Sequence, residues 1–167
     1  MASVTDPATT YSEYLRVDDL LDLQRPRSDE HDEVLFIVIH QVYELWFKQI
    51  LWELDHALVL LDADESVRAQ HTLTRVLRIL KVLVGQLDVL ETMTPLEFLT
   101  FRDRLDSASG FQSAQFRELE AVLGFRDPAA PRHHPEGSNA RARIEAAQAR
   151  PPIWASAASA RPRRWRS

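Results

Sequence analysis

The chain has 167 residues, 45% of them apolar and 27% charged, a balance that fits one domain with a sizeable core. It contains no cysteine, which excludes disulfides, thiolate metal sites and cysteine nucleophiles. The net charge of −5 is uneven: acids outnumber bases two to one up to Leu123, and arginines outnumber acids three to one after it.

The opening stretch MASVTDPATTYSEY lacks a basic flank followed by an apolar core. Residues 1–9 are therefore expected to be a flexible N-terminus without a secretory signal, which makes the cytoplasm the expected location. YSEYLRVDDLLDLQ then places Tyr14, Val17, Leu20 and Leu21 at helical spacing, and Pro26 closes this first helix.

Ser28 followed by Asp29, Glu30, Asp32 and Glu33 reads as an N-cap with acids at the positive end of a second helix. That helix can continue to about Leu61, roughly 50 Å at about 1.5 Å per residue. It is apolar on nearly every side, which suits a bundle interior or a subunit interface. Glu44, Lys48 and Glu53 interrupt it, so no run reaches the roughly 18 uncharged residues of a membrane span, and no membrane segment is expected.

A third helix, from about Glu65 to Glu91, is two-sided: Val76, Leu77, Leu80, Val84 and Leu87 form a stripe opposite Arg68, Arg75, Arg78 and Lys81. Thr94 caps Pro95 at the start of a fourth helix, PLEFLTFRDRL. After the turn SASGF, a fifth helix QSAQFRELEAVLG ends at Gly124. No stretch alternates like a strand, so residues 10–124 predict an all-α helical bundle. Residues 125–167 hold six of the nine prolines and no lysine, and predict a disordered Ala/Arg/Pro-rich tail.

Four-residue spacing puts Phe36, His40, Glu44 and Lys48 in one column of the second helix. His40 can be a hydrogen-bonded core histidine, and Glu44 with Lys48 an ion pair. Glu53-Leu54-Asp55-His56 matches the E-x-x-H element of di-iron carboxylate bundles, but no second copy exists, and an exposed helix edge explains it as well. Arg102 follows Phe98 by one helical turn, where it suits bidentate binding of a carboxylate or a salt bridge to Asp103 or Asp106. Tyr11, Tyr14, Phe36, Trp46, Phe98 and Phe116 can equally be core aromatics.

Taken together and in order, YSEYLRVDDLL, HDEVLFIVIHQVYELWFKQILWELDHA, LETMTPLEFLTFRDRL and SGFQSAQFRELE closely resemble the N-terminal half of bacterial tryptophan 2,3-dioxygenases, over about residues 10 to 125. The resemblance implies an all-α bundle of the tryptophan/indoleamine dioxygenase type, incomplete in this chain. It implies haem b as cofactor, L-tryptophan and O2 as substrates and N-formylkynurenine as product, the first step of the kynurenine route. It also implies a homotetramer; no nucleic-acid partner is expected, because the Arg-rich tail has no aromatic platform or folded reader behind it, and no membrane partner is expected.

By the same resemblance His40 is the catalytic-site residue on the distal side of the haem, hydrogen-bonding the indole nitrogen, and Phe36 packs on the indole ring. Arg102 holds the substrate carboxylate, Phe98 stands beside it where the family has a tyrosine, and Ser109 with Gly110 form the turn that closes near the haem. Tyr11 and Tyr14 correspond to tyrosines that complete a neighbouring subunit's site, and Glu53 and His56 become structural. Leu87 stands where a tryptophan can occur.

The resemblance is expected to stop at Gly124, so the proximal haem histidine is expected to be missing. His133 and His134 do not replace it, because their segment lacks helical periodicity. The composition switch predicts a truncated or frameshifted product, with the frame lost between Phe125 and Pro131. A dioxygenase and a non-catalytic helical remnant are then the two alternatives, which haem absorption would separate.

Overall fold

The computed structural model describes residues 9–105 and 112–155. Among these the elements are helical throughout: α1 Tyr11–Leu15, α2 Val17–Leu21, α3 His31–Asp62, α4 Ser66–Leu90, α5 Pro95–Arg102, α6 Ala114–Leu123 and α7 Asn139–Ala149, with 3-10 turns at Asp103–Leu105 and Ala130–His133. The all-α expectation holds.

The expected first helix is broken in two. Arg16 takes a left-handed conformation (φ 52°, ψ 48°) that ends α1 and starts α2, and its Nε pairs with Asp19 at 2.6 Å. Among the described residues little covers the apolar stripe that was to hold the helix together: Tyr14, Leu20 and Leu21 stay exposed, and Val17 is half-buried. α3 begins later than expected, at His31, because Ser28 turns its hydroxyl to Glu33 and leaves the N-cap to Glu30.

α3 and α4 form an antiparallel pair whose register is set by Gln86 donating to the Ile39 carbonyl, Tyr43 to the Leu83 carbonyl and Arg75 to Glu53. Between them lie Phe47, Ile50, Leu51, Leu54 and Ala57 of α3 and Val76, Ile79 and Leu83 of α4. Each such side chain contributes about 1.5 to 3 kcal/mol when fully withdrawn from water. α6 closes a third side with Leu119, Ala121 and Val122. α5 is built by a reciprocal capping box: Thr94 accepts from the Glu97 amide while the Glu97 carboxylate accepts from the Thr94 amide.

By length and composition α3 is long and apolar enough to cross a membrane, which departs from the sequence reading, because a window with two charges passes where an uncharged run does not. Its outward face carries Val38, Leu45, Trp52 and Val59, exposed and seven residues apart.

The expected disordered tail is corrected over 125–155. Ser138 caps α7 by accepting from the Arg141 amide, the alanine-rich α7 sequence favours a helix, and Ile144 and Ala147 are buried. Arg143 pairs with Glu118 of α6, and Arg150 reaches Asp55 of α3 at 3.2 Å. Sequence periodicity hides this helix because its buried positions number only two.

Candidate functional site

One end of α3 meets α5 through aromatic rings. Phe36 and His40 lie one turn apart on α3, with ring centroids 4.1 Å apart and planes tilted by 39°. Phe98 and Phe101 of α5 each stand 5.7 Å from Phe36, and 5.5 Å from each other at 86°. Such tilted and edge-on pairs add about 0.5 to 1.5 kcal/mol beyond burial. Phe101 is fully buried, whereas Phe36, His40 and Phe98 are half-buried and form an apolar wall that water still reaches.

Hydrogen bonding sets the chemistry of this wall. His40 Nδ1 lies 2.7 Å from the Phe36 carbonyl oxygen. A carbonyl only accepts, so Nδ1 carries a ring proton, and in the neutral tautomer that this bond selects Nε2 is the acceptor. A half-buried aromatic wall with one acceptor is suited to a flat apolar ring that bears an N–H.

Arg102 directly follows Phe101 and closes α5, where a cation complements the helix's negative end. It is half-buried, one turn from Phe98. The expected substrate residues Phe36, His40, Phe98 and Arg102 are therefore brought to one junction. Tyr11 and Tyr14 are not: both lie on α1 and are exposed. Ser109 and Gly110 lie outside the described residues.

Two side-chain expectations change. Glu44 does not pair with Lys48; its carboxylate and its carbonyl both accept from Gln115 Nε2, at 2.7 and 2.9 Å, which fixes the start of α6 one turn past His40. Glu53 is buried rather than at an exposed edge, and accepts from Arg75 at 2.8 and 3.0 Å and from Gln49 at 2.7 Å. His56 is exposed, and among the described residues no group of three metal-ligating side chains gathers, so the di-iron reading has no support. His134 is half-buried beside α7's turn, its Nε2 without a hydrogen-bond partner.

Sequence reasoning missed Phe101 and Glu33. Phe101 sits three residues after Phe98, a spacing that could have revealed it. Glu33 is buried at the foot of α3 and accepts from the Arg27 amide, the Ser28 amide and the Ser28 hydroxyl. Burial pushes its carboxyl up, but those three bonds and the Arg27 charge outweigh burial and hold it below the usual carboxylate value.

The model of a family described as tryptophan 2,3-dioxygenase matches residues 2–135. Curated relatives of that name include one from Anaeromyxobacter sp. (strain K), 56% identical over 156 residues, covering 90% of this chain and 59% of the relative. Another, from Herpetosiphon aurantiacus, is 56% identical over 149 residues, covering 88% and 57%. A third, from Caulobacter vibrioides, is 46% identical over 154 residues, covering 92% and 59%. The likeness therefore runs past Gly124, where the sequence reading ended it, and the chain spans a little under three fifths of the length of these relatives.

Proposed function

We propose a function from one premise: this chain belongs to the tryptophan 2,3-dioxygenase family. It takes part in the O2-dependent opening of the indole ring of L-tryptophan to N-formylkynurenine, the first step of the kynurenine route. One observation carries the assignment to this site: the His40–Phe36 bond that leaves Nε2 as an acceptor on an aromatic wall.

The residues' roles follow from their chemistry. Phe36 and Phe98 shield the indole faces from water, and burying that ring supplies most of the affinity. His40 Nε2 accepts from the indole N–H, a donor that costs about 1 to 3 kcal/mol when buried unpaired. Arg102 holds the carboxylate, which fixes which edge of the ring faces the oxidant. His40 positions the ring; it has no proton to remove for the reaction to proceed.

Haem b is the cofactor that family membership suggests, and it would supply the activation of O2. The donor set at this wall fits the substrate side alone. His40 Nε2 is assigned to indole, His31, His56, His71 and His133 are exposed, and His134 lies in the turn before α7. Among the described residues, those of this wall would bind and orient tryptophan, and none of them is assigned to hold the haem.

We also read the protein as cytoplasmic and as a homotetramer. The exposure of Tyr11 and Tyr14 favours a role outside their own chain's pocket, and the apolar heptad stripe on α3 favours a helical partner. Buried Glu53 and the α4 and α6 contacts favour α3 as a core helix over a membrane span.

Equilibrium dialysis of the 167-residue chain with L-tryptophan tests the reading. Saturable binding that Phe36→Ala abolishes is expected; binding indifferent to Phe36, or none, would remove the assignment. Product formation after haem addition then separates a working dioxygenase from a chain that only binds substrate.

A further inference from the structure

The two walls of the site belong to elements far apart in sequence, α3 and α5, and a ligand with an aromatic end and a carboxylate end must match the span between them. Among the described contacts one polar connection crosses between these ends. Glu33 lies three residues before Phe36 and seven before His40, on the same face of α3. It is 1% exposed, and its Oε1 accepts from the Arg27 amide at 2.8 Å. Its Oε2 accepts from the Ser28 amide at 2.8 Å and the Ser28 hydroxyl at 2.5 Å.

The backbone held in this way aims Arg27 outward. Its Nη1 donates to the carbonyl of Arg104, 3.3 Å away, in the 3-10 turn that continues α5 beyond Arg102. Gln24 and Gln41 add a second attachment: Gln41 Nε2 donates to the Leu23 carbonyl at 3.2 Å, and Gln24 Nε2 to Gln41 Oε1. The segment 23–28 is thus fixed along the same stretch of α3 that carries Phe36 and His40.

We infer that Glu33 and Arg27 form a positioning clamp that sets the distance between the Phe36–His40 wall and Arg102, so that the site reads the length of its ligand as well as its ends. The inference rests on the tryptophan-binding reading and adds two residues that touch no substrate. Its physical basis is orientation: a displacement of about 1 Å in a positioning group can cost about a hundredfold. A buried carboxylate with three donors from one loop is well suited to prevent such a displacement.

The test compares L-tryptophan, which uses both walls, with indole, which uses one. Glu33→Gln and Arg27→Ala should each raise the Kd for L-tryptophan about tenfold, equivalent to about 1.4 kcal/mol. Indole should bind as before. Arg27→Lys should recover part of the loss. Arg27 is exposed, so its variants keep the inference testable if Glu33→Gln fails to fold.

Glu53→Gln serves as the comparison, because it removes a buried carboxylate paired with Arg75 along the α3–α4 interface instead. It should lower the melting temperature and leave the ratio of the two affinities unchanged. Parallel weakening of both ligands, no change in either, or the same split in Glu53→Gln would overturn the clamp. If the unmodified chain binds neither ligand, the functional reading fails by itself. Amide exchange then decides: faster exchange of residues 102–105 in Glu33→Gln upholds the coupling of α3 to α5, and unchanged exchange refutes it.

Discussion

His40 is tied to Phe36 twice, by a 2.7 Å hydrogen bond from its Nδ1 to the Phe36 carbonyl and by ring contact at 4.1 Å. The bond fixes the tautomer and the contact fixes the ring plane, so the acceptor at Nε2 has one direction. His40→Ala should weaken L-tryptophan by about 1 to 3 kcal/mol, the cost of an unpaired donor. It should leave 1-methyl-L-tryptophan, which lacks that N–H, almost unaffected. Equal losses for the two ligands would remove the hydrogen-bonding role.

Arg102 differs from the ring residues in recognising charge. Arg102→Ala should cost L-tryptophan about 2 kcal/mol, the low end for a charge pair because the side chain is half-buried. Tryptamine, without a carboxylate, should bind the variant and the parent alike, as isothermal titration would show.

Glu33 makes a pH prediction. Its folded value lies below the ordinary 4.5, so its contribution is complete above about 4.5 and is lost as pH falls through the lower folded value. The parent should therefore lose stability in that acid window more steeply than Glu33→Gln. Urea titrations at several pH values check this, and identical slopes would show that the three hydrogen bonds do not act on the carboxylate's ionisation.

The core and the outer face of α3 should respond in opposite ways. Ile50 is 0% exposed, and Ile50→Ala should destabilise by about 2 to 5 kcal/mol. Trp52, 73% exposed, should tolerate alanine within about 0.5 kcal/mol in the monomer. A large loss at Trp52 that grows with protein concentration would show that the stripe is covered by another copy.

Gly124 ends α6 at φ +106°, and a Cβ placed there would lie 2.6 Å from Trp154 Nε1. Gly124→Ala should cost about 1 to 3 kcal/mol through backbone strain, with the Trp154 contact added. Adding Trp154→Ala should relieve the contact and leave the strain, which thermal unfolding of the two variants would resolve.

Much of this architecture was readable because the relevant signals are local. The Thr94 cap with Pro95 and the Gly124 stop each depend on residues within a turn or two and stand where the sequence put them, whereas the α4 stripe is rotated: Val76 is buried as expected, but Leu77, Val84 and Leu87 are exposed, and Ala69, Thr72, Ile79 and Leu83 are buried instead. What was missed depends on partners distant in sequence. The break at Arg16 follows from a stripe that finds little to pack on, Glu53 is buried because Arg75 meets it across the helix pair, and α7 is held by Glu118 and Asp55. The Phe36–His40 pair was legible as a column and Phe101 as a helical neighbour of Phe98, but that the two groups form one wall follows from the approach of α5 to α3.

That approach is narrow. α5 has eight residues and one buried side chain, Phe101, whereas α3 and α4 share most of the core. The two parts of the molecule should therefore have different lifetimes. α5 can swing away and return by local opening, with free energy well below that of global unfolding, while the helix pair stays intact. A protein prepared hot or in mild denaturant would then look folded by every measure of helix content yet hold only half a site, and binding would recover as fast as Phe101 finds its place again.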